Sequence, residues 1–325
     1  MSRQSTKRLF SGLWTVGAVA ATAVAGAIAY SRYGINHNVP MPPVLEAEQK
    51  WFTSARAGRL SYYADETGSG RPVVLIHSIN AAPSAHEIKP LFRYFQGRRP
   101  VYALDLPGFG FSERGERPYT PEMYAAAITD LLRLIGGEAA DLIALSLGSE
   151  FVAYVARDNP ELVRSLVLIS PTGLGPREIR LPSDRIYKVV AFPLWSQALF
   201  DLLTARALIR YYVAQSFVGL PPQNFMEYAY ATAHQPGARF APLKFLSGRL
   251  FTPDVRTAVY QHLQRPTLVI YDQDPNVSFD RLPDLLEQNS QWQAARIAPS
   301  LGLPHWEKLV ETKTVIEEFW GGIEG

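Results

Sequence analysis

The sequence contains no cysteine, and neither sign of charge dominates it. Without cysteine the chain can form no disulfide, thiolate metal site or cysteine nucleophile. The 32 lysine and arginine residues nearly balance the 30 acidic residues, and the formal net charge is +2. This balance gives no indication of a nucleic-acid partner. The patterns G-x-x-x-x-G-K and G-x-G-x-x-G are also missing, and we expect no metal, nucleotide or flavin cofactor.

Residues 9–30 form an uncharged stretch of 22 residues. A helix of that length rises about 33 Å, enough to cross a hydrocarbon core of about 30 Å. We therefore expect a transmembrane signal-anchor helix here. A cleaved signal peptide, with an A-x-A-like site at residues 27–29, and a buried helix of a soluble protein are the alternatives.

Basic residues flank this stretch unequally. Arg3, Lys7 and Arg8 precede it, whereas Arg32 follows it. The positive-inside rule then predicts that residues 1–8 are a cytoplasmic tail and that the body of the chain is extracytoplasmic. Residues 31–45 contain three prolines and are predicted to be a stiff linker leaving the membrane.

After residue 45, short apolar runs alternate with segments of helical periodicity. Continuous apolar runs bounded by turn residues are typical of buried strands, and strands separated by helices indicate a mostly parallel sheet. The fold class predicted is α/β, a twisted sheet flanked by helices. The runs are residues 73–77, 101–105, 141–145, 166–169, 267–271 and 292–297, after an opening hairpin over 51–56 and 60–64.

This alternation stops in residues 172–264, which are helical in pattern, aromatic and interrupted by prolines. We interpret this stretch as an inserted helical cap over the carboxyl end of the sheet. Residues 46–171 and 265–325 would then form the core domain. Most of the cap's aromatic residues are expected to pack its own core, and a few to line a pocket.

The segment Ala144-Leu145-Ser146-Leu147-Gly148 joins a predicted strand to a predicted helix. Small residues two before and two after a serine permit a sharp turn that exposes its hydroxyl group beside the helix N-terminus. Backbone N–H groups at that end can stabilise a developing oxyanion. Ser146 is therefore a candidate nucleophile. A serine that only caps the helix would fit the same position.

With this segment, two further motifs resemble the α/β-hydrolase superfamily. Residues 77–80, with the letters HSIN, follow the first buried run, where that family has its His-Gly oxyanion loop. Residues 105–112, with the letters DLPGFGFS, resemble the family's D-x-P-G-x-G-x-S turn. The resemblance implies that Ser146 is the nucleophile, and that the oxyanion hole uses the backbone N–H groups of Ile79 and Leu147.

The loop after the first strand carries further candidates. His77 and Asn80 could contact the substrate or hold the loop, and Ser78 stands where the family usually has glycine. Ser84 and Glu87 have the spacing of an S-x-x-E capping box and are predicted to open the next helix.

The resemblance places the catalytic acid just after the strand at 267–271. Asp272 and Asp274 both lie there, and the family's acid precedes a proline, which favours Asp274. Two aspartates of a solvated turn would look the same.

The histidine departs from the family pattern. The family often ends with G-H-x-P-H-x-E-x-P, in which the first histidine is catalytic. Residues 301–308 read LGLPHWEK, so Gly302 takes the catalytic position and His305 comes three residues later. We expect His305 to act as the base, since serine is a poor nucleophile without one. The alternative is a structural histidine at the start of the last helix.

These features predict a membrane-anchored serine hydrolase of esterase or lipase type. Ser146 would form an acyl-enzyme from a small hydrophobic ester, with His305 as base and Asp274 as acid. One alternative is a non-catalytic binding module of the same fold, and another is a carbon–carbon hydrolase or haloperoxidase-type enzyme. The sequence indicates no particular oligomeric state.

Overall fold

The computed structural model describes residues 22–176 and 183–324. Its described residues contain one sheet of eight strands. The strands are β1 (Glu48–Ser54), β2 (Gly58–Asp65), β3 (Val73–Ile76), β4 (Val101–Leu104), β5 (Ala140–Leu145), β6 (Val163–Ile169), β7 (Thr267–Gln273) and β8 (Trp292–Leu301).

The order of strands across the sheet is β1-β2-β4-β3-β5-β6-β7-β8. β1 pairs with β2 and β2 with β4 in antiparallel fashion, whereas the remaining neighbours are parallel. The predicted mostly parallel α/β sheet and its opening hairpin are thus confirmed. In such a sheet the carboxyl ends of β3, β5, β6 and β7 lie along one edge, where loops from different strands can form a single site.

Helices connect and cover the strands. The described helices are α1 (residues 22–34), α2 (Lys89–Phe95), α3 (Pro121–Ile135), α4 (Gly148–Asp158), α5 (Asp184–Val190), α6 (Ser196–Leu203), α7 (Arg206–Gln215), α8 (Gln223–Ala233), α9 (Phe240–Leu246), α10 (Val255–Ala258), α11 (Leu282–Gln288), α12 (Pro304–Glu307) and α13 (Leu309–Glu324).

Helices cover both faces of the sheet. Successive residues of a strand point to opposite faces, so they join different apolar clusters. Along β3, Val74 and Ile76 join an apolar cluster with residues of α3 and α4. Val73 and Leu75 join the opposite cluster, which contains residues of α2 and α13. This two-sided burial explains why the central strands are continuous apolar runs.

The described helices α5 to α10 lie between β6 and β7, and we call this part the helical insertion. It occupies the stretch for which the sequence predicts a cap over 172–264. That the insertion forms a cap, and that the cap spans residues 172–264, stays a prediction.

The predicted membrane anchor requires correction. Residues 9–21 of the predicted span lie outside the described part of the chain. Within residues 22–176 and 183–324, no helix combines the length and the apolar character needed to cross a bilayer. The prediction of a single-pass anchor with an extracytoplasmic body is therefore wrong.

Residues 31–45, predicted to be a stiff linker, are hydrogen-bonded to the folded body. The hydroxyl of Ser31 donates to the buried carboxylate of Asp201 in α6 at 2.5 Å, and His37 Nε2 donates to the same carboxylate at 2.9 Å. Further along, the N–H of Val44 donates to the Tyr63 hydroxyl at 3.1 Å. These bonds hold the segment against the helical insertion and β2.

A buried carboxylate at the start of β5 ties three parts of the sheet together. Asp141 is fully buried and accepts hydrogen bonds from Arg99 at 2.5 Å, Arg164 at 3.1 Å and the Ser165 hydroxyl at 2.5 Å. Removing such a carboxylate takes the buried anion away from the guanidinium group of Arg99.

We predict that Asp141→Ala lowers the free energy of unfolding by about 3–5 kcal/mol, the usual cost of breaking a buried ion pair from one side. Urea unfolding followed by circular dichroism measures it. Asp158→Ala is the matched control, since Asp158 pairs with Arg157 at the surface, and it should cost less than about 1 kcal/mol. Equal losses in the two variants would contradict this account.

Candidate active site

Ser146 lies in a sharp turn between β5 and α4. Its backbone has a φ of 52°, in the left-handed region that residues other than glycine rarely adopt. The Ser146 N–H donates to the carbonyl of Ile169 at the end of β6 at 2.9 Å, and the side chain is partly exposed. A strained backbone held in place by the surrounding sheet is a frequent sign of a functional residue.

Gly148 brings the loop after β3 against this turn. A Cβ atom at Gly148 would lie 2.6 Å from the carbonyl oxygen of His77, too close for any side chain. The glycine in the motif is thus required by close packing of α4 on the end of β3. The same approach places the loop at residues 77–80 beside Ser146.

Two backbone donors flank the serine without acceptors of their own. Within the described residues, neither the N–H of Ile79 nor that of Leu147 donates a backbone hydrogen bond, although both residues are almost fully buried. Buried N–H groups are nearly always paired. Two free donors beside a serine hydroxyl are the arrangement that an oxyanion hole needs.

His77 holds the loop instead of facing a substrate. Its Nδ1–H donates to the carbonyl of Ser78 at 2.6 Å, and its Nε2 accepts from the N–H of Leu106 at 3.0 Å. Burial lowers the pKa of His77 to about 4, so the ring stays neutral. Both nitrogens are occupied, and we assign His77 to the loop.

Asn80 and Glu87 stabilise the same loop. Glu87 accepts the N–H of Ser78 at 2.9 Å and the side-chain amide of Asn80 at 2.7 Å, and the Asn80 oxygen accepts the N–H of Ala82 at 2.8 Å. Every polar group of the Asn80 side chain is bonded within the loop. The substrate contact predicted for Asn80 therefore has no support in this geometry.

The predicted capping box at Ser84 and Glu87 also needs correction. Ser84 does cap the next turn, because its hydroxyl accepts the N–H of His86 at 3.3 Å. The carboxylate of Glu87 points instead to Ser78 and Asn80. Sequence reasoning missed this role of Glu87, since the S-x-x-E spacing suggested a local partner for it.

The two aspartates after β7 have different surroundings. Asp272 binds the guanidinium of Arg296 at 2.8 Å and the N–H of Ser300 at 2.9 Å, so it is committed to β8. Asp274 accepts the N–H groups of Asn276 and Val277 at 2.7 and 3.0 Å, both on Oδ1. Burial raises the pKa of Asp274, and these backbone bonds oppose the rise. The geometry favours Asp274 for the acid position.

Asp274 faces Gly302, the residue at the place where the family motif has its catalytic histidine. Its Oδ2 lies 2.5 Å from the point that a Cβ atom on Gly302 would occupy, and Gly302 has a φ of +85°. Asp274 and Gly302, which lies three residues before His305, are thus adjacent. No side chain extends from that position toward Ser146.

His305 is bound elsewhere. It is fully buried, and its Nε2–H donates to the backbone carbonyl of Glu87 at 2.7 Å. Its Nδ1 has no hydrogen-bond partner, and burial lowers the pKa of the ring to about 4. The structure does not bring His305 into a hydrogen bond with Ser146 or Asp274.

No other histidine takes its place. All six histidines lie in the described residues, and none of them bonds to Ser146 or Asp274 there. Besides His77 and His305, His37 binds Asp201, His86 stacks on Tyr228, His234 bonds to the carbonyl of Tyr230, and His262 is exposed.

A sequence profile of the alpha/beta hydrolase family matches residues 73–312. The chain belongs to this family. A 2-(acetamidomethylene)succinate hydrolase of Mesorhizobium japonicum is 33% identical over 115 residues, which are 35% of this chain and 41% of that protein. A 2-hydroxymuconate semialdehyde hydrolase of Pseudomonas putida is 33% identical over 112 residues, 34% of this chain and 40% of that one.

Among solved structures, a membrane phospholipase A superimposes with a TM-score of 0.66 at 20% identity, covering 98% of this chain and 99% of that one. At this identity the likeness concerns the fold. The alignments to the two curated hydrolases span about two fifths of each relative, 41% and 40%. The turn at Ser146 therefore lies in an alpha/beta hydrolase fold, and the reaction of this chain is a matter for proposal.

A buried acid links the nucleophile helix to the helical insertion. Glu150 in α4 accepts the hydroxyl of Thr172 at 2.5 Å and the N–H of Thr252 at 2.8 Å. Burial raises its pKa from the ordinary 4.5 to about 7, against these two hydrogen bonds. The folded chain thus holds a proton that the unfolded chain releases between these two pH values.

We predict that stability falls as pH rises from about 4.5 to 7, and that Glu150→Gln reduces this fall because the amide cannot ionise. Part of the pH dependence of stability should remain in this variant, because burial also raises the pKa of Asp105, to about 6. Thermal unfolding across this pH range tests the prediction. The exposed Glu122→Gln should leave the profile unchanged, and a Glu150→Gln profile as steep as the parent's would contradict the assignment.

Proposed function

We propose that this chain is a serine hydrolase that cleaves an ester-type bond through Ser146. The observation that carries the proposal is the strained turn at Ser146 beside the unpaired N–H groups of Ile79 and Leu147. A hydroxyl group with unpaired N–H donors nearby suits attack on a carbonyl group, because the oxygen becomes negatively charged as the tetrahedral intermediate forms.

The proposed reaction has two stages. The Ser146 Oγ attacks the carbonyl carbon, its proton passes to a base, and the carbonyl electron pair moves onto the oxygen that faces Ile79 and Leu147. Collapse of the intermediate expels the alcohol, which takes the proton from the base. Water then attacks the acyl-enzyme in the same way and releases the acid.

His305 is a poor candidate for that base. A general base must lie within direct or one-water hydrogen-bond reach of the proton that it removes. The Nε2–H of His305 is committed to the carbonyl of Glu87, which Trp306 Nε1 also contacts at 2.6 Å. We therefore propose that His305 positions Glu87 and the loop that Glu87 holds.

The preference for an apolar substrate rests on the aromatic residues of the helical insertion. Phe225 and Tyr228 of α8 pack on His86, with ring centroids 5.2 Å apart in each case, and His86 adjoins Glu87. Apolar rings near the oxyanion loop suit a hydrophobic acyl group. The two relatives are a 2-(acetamidomethylene)succinate hydrolase and a 2-hydroxymuconate semialdehyde hydrolase. Because these names differ in substrate, cleavage of a carbon–carbon bond is the alternative to cleavage of an ester.

A second candidate function is ligand binding without catalysis. Gly302 favours it, since the position facing Asp274 carries no imidazole. The two functions differ in the reactivity of Ser146, because a binding protein needs no nucleophile there.

A fluorophosphonate probe tests the proposal, since it traps an attacking serine by loss of fluoride. We expect slow labelling of the parent chain at one site, found by peptide mass spectrometry at Ser146 and lost in Ser146→Ala. His305→Gln should change the labelling rate less than about twofold, because glutamine can still donate to the Glu87 carbonyl and no base is removed. A histidine base would be worth about 10²–10⁴-fold.

Circular dichroism of each variant provides the folding control. A parent chain that resists labelling would overturn the hydrolase proposal. Ligand binding without catalysis would then be the remaining candidate function. A loss of about 100-fold in a folded His305→Gln variant would instead restore His305 as the base.

A further inference from the structure

The helical insertion carries a group of exposed apolar side chains. They lie in residues 202–220, which run from the end of α6 through α7 to the loop before α8, and we call this stretch the docking segment. Its exposed apolar residues are Leu202, Tyr211, Tyr212, Val218 and Leu220, and Leu220 is 98% exposed. Single exposed apolar side chains are ordinary, whereas several in one short stretch indicate a surface that another molecule covers.

The helix α7 turns a cationic side of this segment to solvent. Arg206 and Arg210 are one helical turn apart, so their side chains lie on the same side of the helix. Both are exposed, as is Tyr211, whereas Ile209 is buried against the rest of the fold. The solvent side of α7 thus combines two guanidinium groups with an aromatic ring.

The exposed charge of the docking segment has one sign. Residues 202–226 contain two cationic residues, Arg206 and Arg210, and no acidic residue, and Asp201 just before them is buried. Glu227, the next acid along the chain, lines a cleft of about 290 Å³ together with both arginines. Within residues 22–176 and 183–324 neither guanidinium group forms an ion pair. One carboxylate against two free cations leaves this surface positive.

An anionic lipid bilayer fits both properties of this surface. Its headgroups attract guanidinium groups, and the acyl region beneath them accepts apolar side chains. Arginine can keep its charged end in the headgroups while its stem contacts apolar surface, and tyrosine has the same amphipathic character. A second copy of this chain fits less well, because the same surface would set arginine against arginine.

We propose that the docking segment binds the surface of an anionic lipid bilayer, with Arg206 and Arg210 at the headgroups and Leu220 beneath them. Leu220 lies in the loop between α7 and α8. Docking of this kind stays within the interfacial region and requires no helix that crosses the bilayer. It goes beyond the proposed hydrolase function and does not depend on it.

The docking segment is continuous with the helix that packs beside the oxyanion loop. The helix α8 begins at Gln223, and its Phe225 packs on His86 with ring centroids 5.2 Å apart. His86 adjoins Glu87, whose carboxylate holds the loop at residues 77–80. Docking would therefore join the lipid surface to an element next to the candidate active site.

Vesicle flotation of the full chain tests the proposal. We expect the chain to float with phosphatidylcholine vesicles that contain phosphatidylglycerol, and to bind pure phosphatidylcholine vesicles at least about tenfold more weakly. Added salt should weaken the binding to anionic vesicles. Replacing both arginines, Arg206→Gln with Arg210→Gln, should lower the partition coefficient about 30-fold, since each cation contributes near such a surface. The matched control is Arg56→Gln with Arg133→Gln, two exposed arginines outside the segment.

A fluorescent label locates the contact. Because the chain contains no cysteine, Leu220→Cys provides a single attachment point for an environment-sensitive fluorophore. We expect its emission to rise and shift to shorter wavelength when anionic vesicles are added, as the label leaves water. Leu134→Cys is the control, since Leu134 is 51% exposed on α3, and its label should not respond. Circular dichroism verifies the folding of each variant.

The outcomes decide the proposal without reference to catalysis. Binding that is lost in the double arginine variant, with a response at Leu220→Cys alone, supports it. A parent chain that does not bind anionic vesicles would overturn it and would favour an acidic protein as the partner of this surface. Binding that persists in the arginine variant, or equal responses at the two labels, would also overturn it, because another part of the chain would then contact lipid. Fluorophosphonate labelling of Ser146 tests the hydrolase proposal separately.

Discussion

The contact between α4 and the end of β3 determines the geometry of the whole site. Gly148 approaches the carbonyl of His77 so closely that a Cβ atom would lie 2.6 Å from it. This contact fixes the turn at Ser146 relative to the loop that carries Ile79. The parallel sheet supplies the rigidity, since Ser146 itself is bonded to the end of β6. Without this approach, the loop that carries Ile79 could not pack against the turn at Ser146.

Glu87 extends this constraint to the C-terminal part of the chain. Its carboxylate binds Ser78 and Asn80 in the oxyanion loop, while its carbonyl accepts from His305 and Trp306. Burial raises the pKa of Glu87, and its hydrogen bonds oppose that rise. His305, three positions after the place of the catalytic histidine in the family motif, thus helps to hold the carbonyl of Glu87.

The sequence was sufficient for the features that depend on neighbouring residues. Buried apolar runs gave the parallel sheet, and the small residues around Ser146 gave the turn, because both patterns are local. The partners of Asp201 and His305 were not predictable, since Ser31 lies 170 residues from Asp201 and Glu87 lies 218 residues from His305. Hydropathy likewise suggested an anchor at the N-terminus, whereas the described residues contain no helix that could cross a membrane.

We propose that Ser146 is positioned to attack and that no histidine of the chain serves as its base. The pH dependence of its modification by a fluorophosphonate, in a buffer free of azoles, tests this most directly. We expect a rate that rises in proportion to hydroxide from about pH 6 to 9 without an inflection, because only hydroxide removes the proton. A rate that becomes independent of pH within this range, as a deprotonated histidine base would give, would contradict this proposal.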